Sequence, residues 1–305
     1  MTFHQHGSSN LAKLEDIIDG SDSLQLQDDI LTKKITPKRI TLSMGANASY
    51  FGHPRWGKQY LDACHRDHAF VERWQTATGS WSNKVVVDIG CGPGNVYASV
   101  GGTPHLLVGV DISPGALQMA QKIGYQPLCA DAQELPLKSA CADIVVMNAA
   151  LHHCDDMEAV LREAARLVKP GGILVTDHDL QRSAWNFKGV GWLLWELRLP
   201  LYRILRRGGH SSEAEQLCAL ASEAHHSPGD GLTTSFYRDI LKPMGFNVNV
   251  YPHSHKQGAA IFQEPPIAAD KKFRFVQLLS GIDPNSPEAA LSLMCVARRH
   301  TSEPH

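Results

Sequence analysis

The residues with the clearest chemical potential are a carboxylate and three glycines. In "NKVVVDIGCGPGNV" an apolar run ends at Asp88, and Gly90, Gly92 and Gly94 follow at alternate positions. Glycines there let the backbone turn tightly and let a ligand approach with no Cβ in the way. A second carboxylate, Asp111, closes the next apolar run, nineteen positions after Gly92. At that spacing it can accept hydrogen bonds from both hydroxyls of a ribose. A third, Asp131, opens "DAQELPL" and can meet an adenine amino group.

Two classes of adenosine cofactor fit a glycine turn followed by a ribose-binding acid. The dinucleotide fingerprint is G-x-G-x-x-G, whereas this turn reads G-C-G-P-G. Pro93 removes a backbone donor where a pyrophosphate would need one. Charge points the same way. Two like charges ~4 Å apart cost about 1 kcal/mol in water and several times that near a protein surface. Asp88 would repel a pyrophosphate but attract an α-amino group and a sulfonium. Adenosine, amine and sulfonium together describe S-adenosylmethionine.

The elements that must position these residues alternate. "KVVVDIG", "PHLLVGVDI", "YQPLCADA", "ADIVVMNAAL" and "GILVTDHD" read as buried strands. "GALQMAQKIG", stopped by Gly124, and "MEAVLREAARLVKPGG", ended by Pro170, read as helices between them. Apolar runs of strand length separated by helices indicate a parallel sheet covered on both faces. In such a sheet ligands bind beyond the carboxyl ends of the strands, where all three acids fall. Residues 57–79 read as one amphipathic helix closed by Gly79, and residues 1–45 as a polar, loosely held arm. After 182–230 the pattern resumes with a helix in "TTSFYRDILKPMGF" and strands in "FNVNVYPHS" and "ALSLMCVARR".

Over residues 84–180 the chain resembles the class I S-adenosylmethionine-dependent methyltransferases. "VVVDIGCGPG", "VGVDISPGAL", "ADAQELPLKSACADIVVMNAALHH" and "LVKPGGILVTDHD" carry the resemblance. The third of these is most similar to the subgroup acting on quinone precursors and other small metabolites. The resemblance implies a Rossmann-like α/β fold, doubly wound, with a mostly parallel seven-stranded sheet whose last strand runs antiparallel. It also implies S-adenosyl-L-methionine as cofactor. Asp88, Gly90, Gly92 and Gly94 would hold its methionine end, Asp111 and Ile112 the ribose and adenine edge, and Asp131 and Ala132 the adenine. Asn148 would line the floor. Family members close over the cofactor with a segment before the first strand, which makes Tyr50 and Trp56 capping candidates.

Methyl transfer is an in-line displacement, so the protein chiefly aligns the reactants and excludes water. A base is needed where the acceptor must lose a proton. His178, between Asp177 and Asp179, and His226, in "EAHHSPGDGL", are the candidate bases. His225, His253 and His255 could reach the same pocket, and His152 and His153 read as structural or as part of the cofactor floor. No H-x-x-x-H or HExxH spacing supports a metal site. Residues 183–209, with three tryptophans and four arginines, read as a helical lid, as a helix packed on the domain, or as a basic helix on an anionic membrane.

The expected organisation is an arm over 1–45 and a methyltransferase domain over 46–305, with 182–230 as its cap. The expected reaction is methylation of a small organic acceptor, O-methylation favoured. The alternatives are C-methylation of a quinone or lipid precursor and cofactor binding without catalysis. Net charge is −2, which offers no basic field to collect nucleic acid. Absence of N-P-P-Y or D-P-P-Y after the fourth strand argues against base amino groups as acceptors. Seven scattered cysteines without a C-x-x-C pair, and no segment apolar enough for a signal or a membrane span, point to the cytoplasm.

Overall fold

The structure, a computed structural model, describes residues 13–20, 24–34, 40–64, 67–205, 221, 225 and 227–301. Its centre is the strand Val85–Ile89, here β3, buried along nearly its whole length because no residue but Asp88 is polar. β4 (Leu106–Asp111) and β6 (Ala142–Asn148) pair with it in parallel on either side. β5 (Gln126–Cys129) extends the sheet beyond β4, and β7 (Val168–Leu180) beyond β6. The chain thus winds outward from β3 in one direction and returns to wind in the other. That leaves a crevice at the carboxyl ends of β3, β4 and β6. β9 (Ser292–Arg299) is inserted antiparallel between β7 and β8 (Phe246–His253).

The sheet has nine strands rather than the expected seven, in the order β1-β2-β5-β4-β3-β6-β7-β9-β8. The extra pair lies in the stretch read as an arm. β1 (Leu24–Gln27) and β2 (Ile30–Lys33) form a hairpin, and Leu31 and Thr32 of β2 pair in parallel with Leu128 and Cys129 of β5. The turn residues Asp28 and Asp29 have φ of 48° and 63°, the left-handed geometry that a two-residue hairpin requires. Nearby, Leu14 is fully buried and Ile18 bridges Leu137.

Val87 and Ile89 point into one apolar cluster with Leu161, Tyr237 and Leu241, and Val86 into another with Phe70, Trp74 and Trp81. One core lies on each face of the sheet, as strand alternation dictates. The helices supply the rest. α1 (Leu42–Gly52) and α2 (Pro54–Cys64) break at His53, and α3 (His68–Thr78) starts on the Asp67 carboxylate, which accepts from Ala69 N. The single helix expected over 57–79 is therefore two, although Gly79 does close the second with φ 67°. α4 (Asn95–Val100) and α5 (Pro114–Ile123) follow β3 and β4. α6 (Met157–Leu167) stops before Pro170 because the chain already enters β7 at Val168.

After β7, α7 (Gly189–Ile204) continues through Pro200. It packs on α9 (Lys271–Leu279) through Trp185, Phe187, Trp195 and Phe273, a third small core. α8 (Thr234–Leu241) backs β8 and β9. Among the described residues no helix is long and apolar enough to cross a membrane, and Cys91, Cys129, Cys141, Cys154 and Cys295 are free thiols.

Candidate functional site

The crevice at the carboxyl ends of β3, β4 and β6 opens into a cavity with about 950 Å³ of empty space, its mouth included. Asp88, Gly90, Gly92, Asp111, Ile112, Asp131, Ala132 and Asn148 all line it, so the sequence-predicted residues from three strand ends converge. Gly90 (φ 67°) is required there, since a Cβ would meet that of Ala150 at 2.7 Å. Gly92 (φ 51°) has nothing within 4 Å of its would-be Cβ and presents bare backbone to the cavity.

Asp88 is fully buried. Tyr125 donates its hydroxyl to Oδ2 at 2.7 Å, while Oδ1 has no hydrogen-bond partner among the described residues. Burial pushes its pKa up to about 7; the Tyr125 hydroxyl opposes the rise and the Asp111 charge adds to it. Gly94 does not line the cavity and acts one step back. It caps α4, and a Cβ there would press on the Tyr125 ring at 2.9 Å.

Asp111 is held by backbone. Gly92 N donates to Oδ2 at 2.9 Å and Ser113 N to Oδ1 at 2.8 Å, which aims the carboxylate across the glycine turn. Burial still raises its pKa above the ordinary value. Asp131 is fixed in the same way by Gln133 N, 2.9 Å from Oδ1. Asn148 is buried at the end of β6, and its Oδ1 has no partner among the described residues. Two buried acceptors, Asp88 Oδ1 and Asn148 Oδ1, therefore call for a donor-bearing ligand. The α-amino group and positive charge of S-adenosylmethionine meet that need, and its adenosine suits Asp111 and Asp131.

The ceiling comes from the N-terminal helices, but not from the residues expected. Met44, Asn47, Phe51 and Tyr60 line the cavity, whereas Tyr50 and Trp56 stack on each other at 5.0 Å and do not. The break at His53–Pro54 resets the helical phase, so spacing along one helix could not pick the inward side. α1 is seated through its cap, where Thr41 Oγ1 donates to Asp155 Oδ2 at 2.7 Å, and through Ser43 Oγ, which donates to His153 O. At its other end Gly52 packs directly on Gly115 of α5.

The histidines divide into two groups around a bulge in β7. Register with β9 shifts between Thr176 and Asp179, and His178 adopts φ 62°. Asp177 and His178 both meet Arg73: its Nε donates to Asp177 Oδ2 at 2.9 Å, and its Nη2 lies 3.1 Å from His178 Nε2. His253 Nε2 donates to Asp177 Oδ1 at 2.6 Å, and the His178 and His255 rings meet edge to face. Because a guanidinium only donates, His178 Nε2 is the acceptor and its lone pair is engaged. Burial, reinforced by Arg73 and His253 against the pull of Asp177, lowers the His178 pKa to about 4. His178 is not among the cavity-lining residues, nor are His253 and His255. The imidazole expected as a base is thus turned toward a buried ion pair. His226, the other candidate, lies outside the described residues.

The bulge sends Asp179 the other way, to His152 Nδ1 at 2.9 Å. Burial raises Asp179 to about 7 and, with His225 nearby, lowers His152 to about 4. His153, its ring tilted against that of His152 with centroids 4.1 Å apart, is the described histidine that lines the cavity. None of the described residues of 182–230 is among those lining it. Among the described residues no group of three or more His, Cys, Asp or Glu could hold a metal.

Residues 87–176 match the family described as Methyltransferase domain. The malonyl-[acyl-carrier protein] O-methyltransferase of Yersinia pestis is 32% identical over 127 residues, 41% of this chain and 46% of that protein. The ubiquinone biosynthesis O-methyltransferase of Bordetella bronchiseptica is 28% identical over 190 residues, 57% of this chain and 75% of that protein. The chain thus spans about half the length of the first relative and three quarters of the second. Among solved structures, a chain from a Haloferax volcanii complex of a methyltransferase activator and a methyltransferase superposes with a TM-score of 0.51. It is 17% identical and covers 85% of this chain and 99% of that one, so the likeness is one of fold. In its domain, its motifs and its fold, the chain is similar to the S-adenosylmethionine-dependent methyltransferases.

Proposed function

We propose that the protein transfers a methyl group from S-adenosylmethionine to a small organic acceptor, with a hydroxyl as the favoured target. The observation that carries the reading is Asp88. It is a fully buried carboxylate at the mouth of a glycine turn, with one oxygen left for a cationic donor. The cofactor, when bound, supplies an activated methyl group. Asp88 and Asn148 would anchor its amino acid end, Asp111 and Ile112 its ribose, and Asp131 and Ala132 its adenine. Phe51 and Tyr60 would close over it and exclude water, which strengthens every charge interaction inside.

The O-methyl assignment rests on the two relatives named above and on His153. A hydroxyl must lose its proton, and His153 is the imidazole bordering the cavity, backed by His152 and Asp179. The segment 182–230 is read as a packed cap on the domain, and 46–305 as the catalytic unit. Calorimetry with S-adenosylmethionine and with its demethylated product tests the reading; no binding of either would refute it. Binding that survives both Asp88→Ala and Asp111→Ala would refute the site. With the acceptor in hand, His153→Ala should lower kcat for a hydroxyl while leaving cofactor affinity in place.

A further inference from the structure

Two neighbouring helices turn apolar stripes away from the core. In α7, Val190, Leu193, Leu197, Leu201 and Ile204 recur at i+3 and i+4 spacing, and all are at least 50% exposed. That periodicity normally marks the side of a helix facing its core. Here the core side is already taken by Trp195, which packs with Trp185, Phe187 and Phe273. On α9, Phe275 and Leu278 are equally exposed, while Val276 and Gln277 face inward. The helices are in direct contact, for a Cβ on Gly191 would run into Ser280 and the Val276 carbonyl. Two exposed apolar stripes thus lie on helices in direct contact, and Trp192 and Leu194 of α7 are partly exposed as well.

The charge around this face is one-sided. The described side chains of 188–205 and 271–279 include Lys188, Arg198, Lys271, Lys272 and Arg274 against one carboxylate, Glu196, in a chain whose net charge is −2. Arg198 lies over the Trp195 ring at 3.6 Å and Lys272 over Phe273 at 4.7 Å, so both cations flank aromatic bodies. A second copy on the same face would bring these cationic rims together and repel. An anionic lipid surface meets both properties, since apolar side chains enter the acyl boundary while lysine and arginine stay among the headgroups.

We propose that the face formed by α7 and α9 seats the protein on an anionic membrane surface. The cavity is lined by none of these residues, so the docked protein keeps its site apart from the contact. The inference does not rest on methyl transfer, and binding is read without cofactor or acceptor.

Flotation of the full chain with vesicles of phosphatidylcholine alone, or with about one third phosphatidylglycerol, tests it. The expected result is binding to the anionic vesicles, weak binding to the neutral ones, and release as salt rises. Leu197→Glu and Phe275→Glu, on different helices, should each weaken binding about tenfold with unchanged melting temperature. Either suffices if the other fails to fold. Protein that stays unbound with both vesicle types overturns the proposal, as does wild-type binding by both variants. A dimer in light scattering that Leu197→Glu converts to monomer would give the face to a second copy, and also overturns it.

Discussion

Near neutral pH, Asp88 is about half ionised in the free protein, because burial lifts its pKa to about 7. Two consequences with opposite signs follow. The folded chain holds this proton more tightly than the unfolded one, so its contribution to stability falls as pH rises from 3.8 through about 7. A cationic ligand prefers the ionised form, so its binding expels the proton and tightens over the same range. Melting temperature without ligand should therefore decline toward about pH 8, and the decline should lessen in Asp88→Asn. Calorimetry of cofactor binding should show affinity rising with pH, whereas Asp88→Asn should bind about 100-fold more weakly with a flat pH profile. A pH-independent wild-type affinity would refute the role of this titration. His178 gives the contrasting case. With Nε2 engaged by Arg73 and its pKa near 4, it is neutral at working pH whatever the ligand state. His178→Ala should leave cofactor affinity unchanged within about twofold. Loss of binding in that variant would show that the Arg73 cluster shapes the cavity after all.

Elements decide what single residues cannot, and the ceiling of the cavity shows how. Asp88, Asp111 and Asp131 were legible because each follows an apolar run, and parallel strands end at one edge of the sheet. Phe51 and Tyr60 were not legible, since they lie on two helices whose phases are separated by the break at His53. The β1–β2 hairpin escaped for a related reason: its strands are four residues each, and its Asp28-Asp29 turn lacks the glycine that announces a hairpin. The seat of α1 yields a prediction at this scale. A Cβ on Gly115 would lie 2.6 Å from Gly52 O, a backbone contact that cannot yield by rotamer change. Gly115→Ala should push α1 outward, take Phe51 with it and weaken cofactor binding about tenfold. Hydrogen exchange should rise in 42–52 while β3 stays protected. An unchanged affinity would mean that α1 contributes no closure.

Across the whole molecule, Arg73 joins regions far apart in sequence. It is fully buried on α3, and besides Asp177 and His178 it donates to the carbonyls of Ala69, His255 and Gln257. One guanidinium thus ties the N-terminal helices to the end of β7 and to the loop after β8. No local pattern could reveal this, because Arg73 and Asp177 are 104 positions apart and each reads alone as a surface charge. Burial by itself would raise the Asp177 pKa, but Arg73 and His253 hold it well below 3.8. The sign is therefore opposite to that of Asp88: ionised Asp177 stabilises the fold at neutral pH, and that contribution is lost as pH falls below 3.8. Arg73→Met leaves the Asp177 carboxylate buried with only the hydrogen bonds from His253 and the His178 backbone N–H. Removing one member of such a pair costs about 3–5 kcal/mol, which corresponds to a drop of roughly 10 °C in melting temperature. Arg73→Met combined with Asp177→Asn should recover part of the loss, because the uncompensated charge goes with the second substitution. The bulge at His178 depends on the same clamp, and it is what turns Asp179 toward His152 beside the cavity. The single variant should therefore also lower turnover of a hydroxyl acceptor at temperatures where it remains folded. Full stability in Arg73→Met would show that the two halves of the sheet are held by their apolar cores alone.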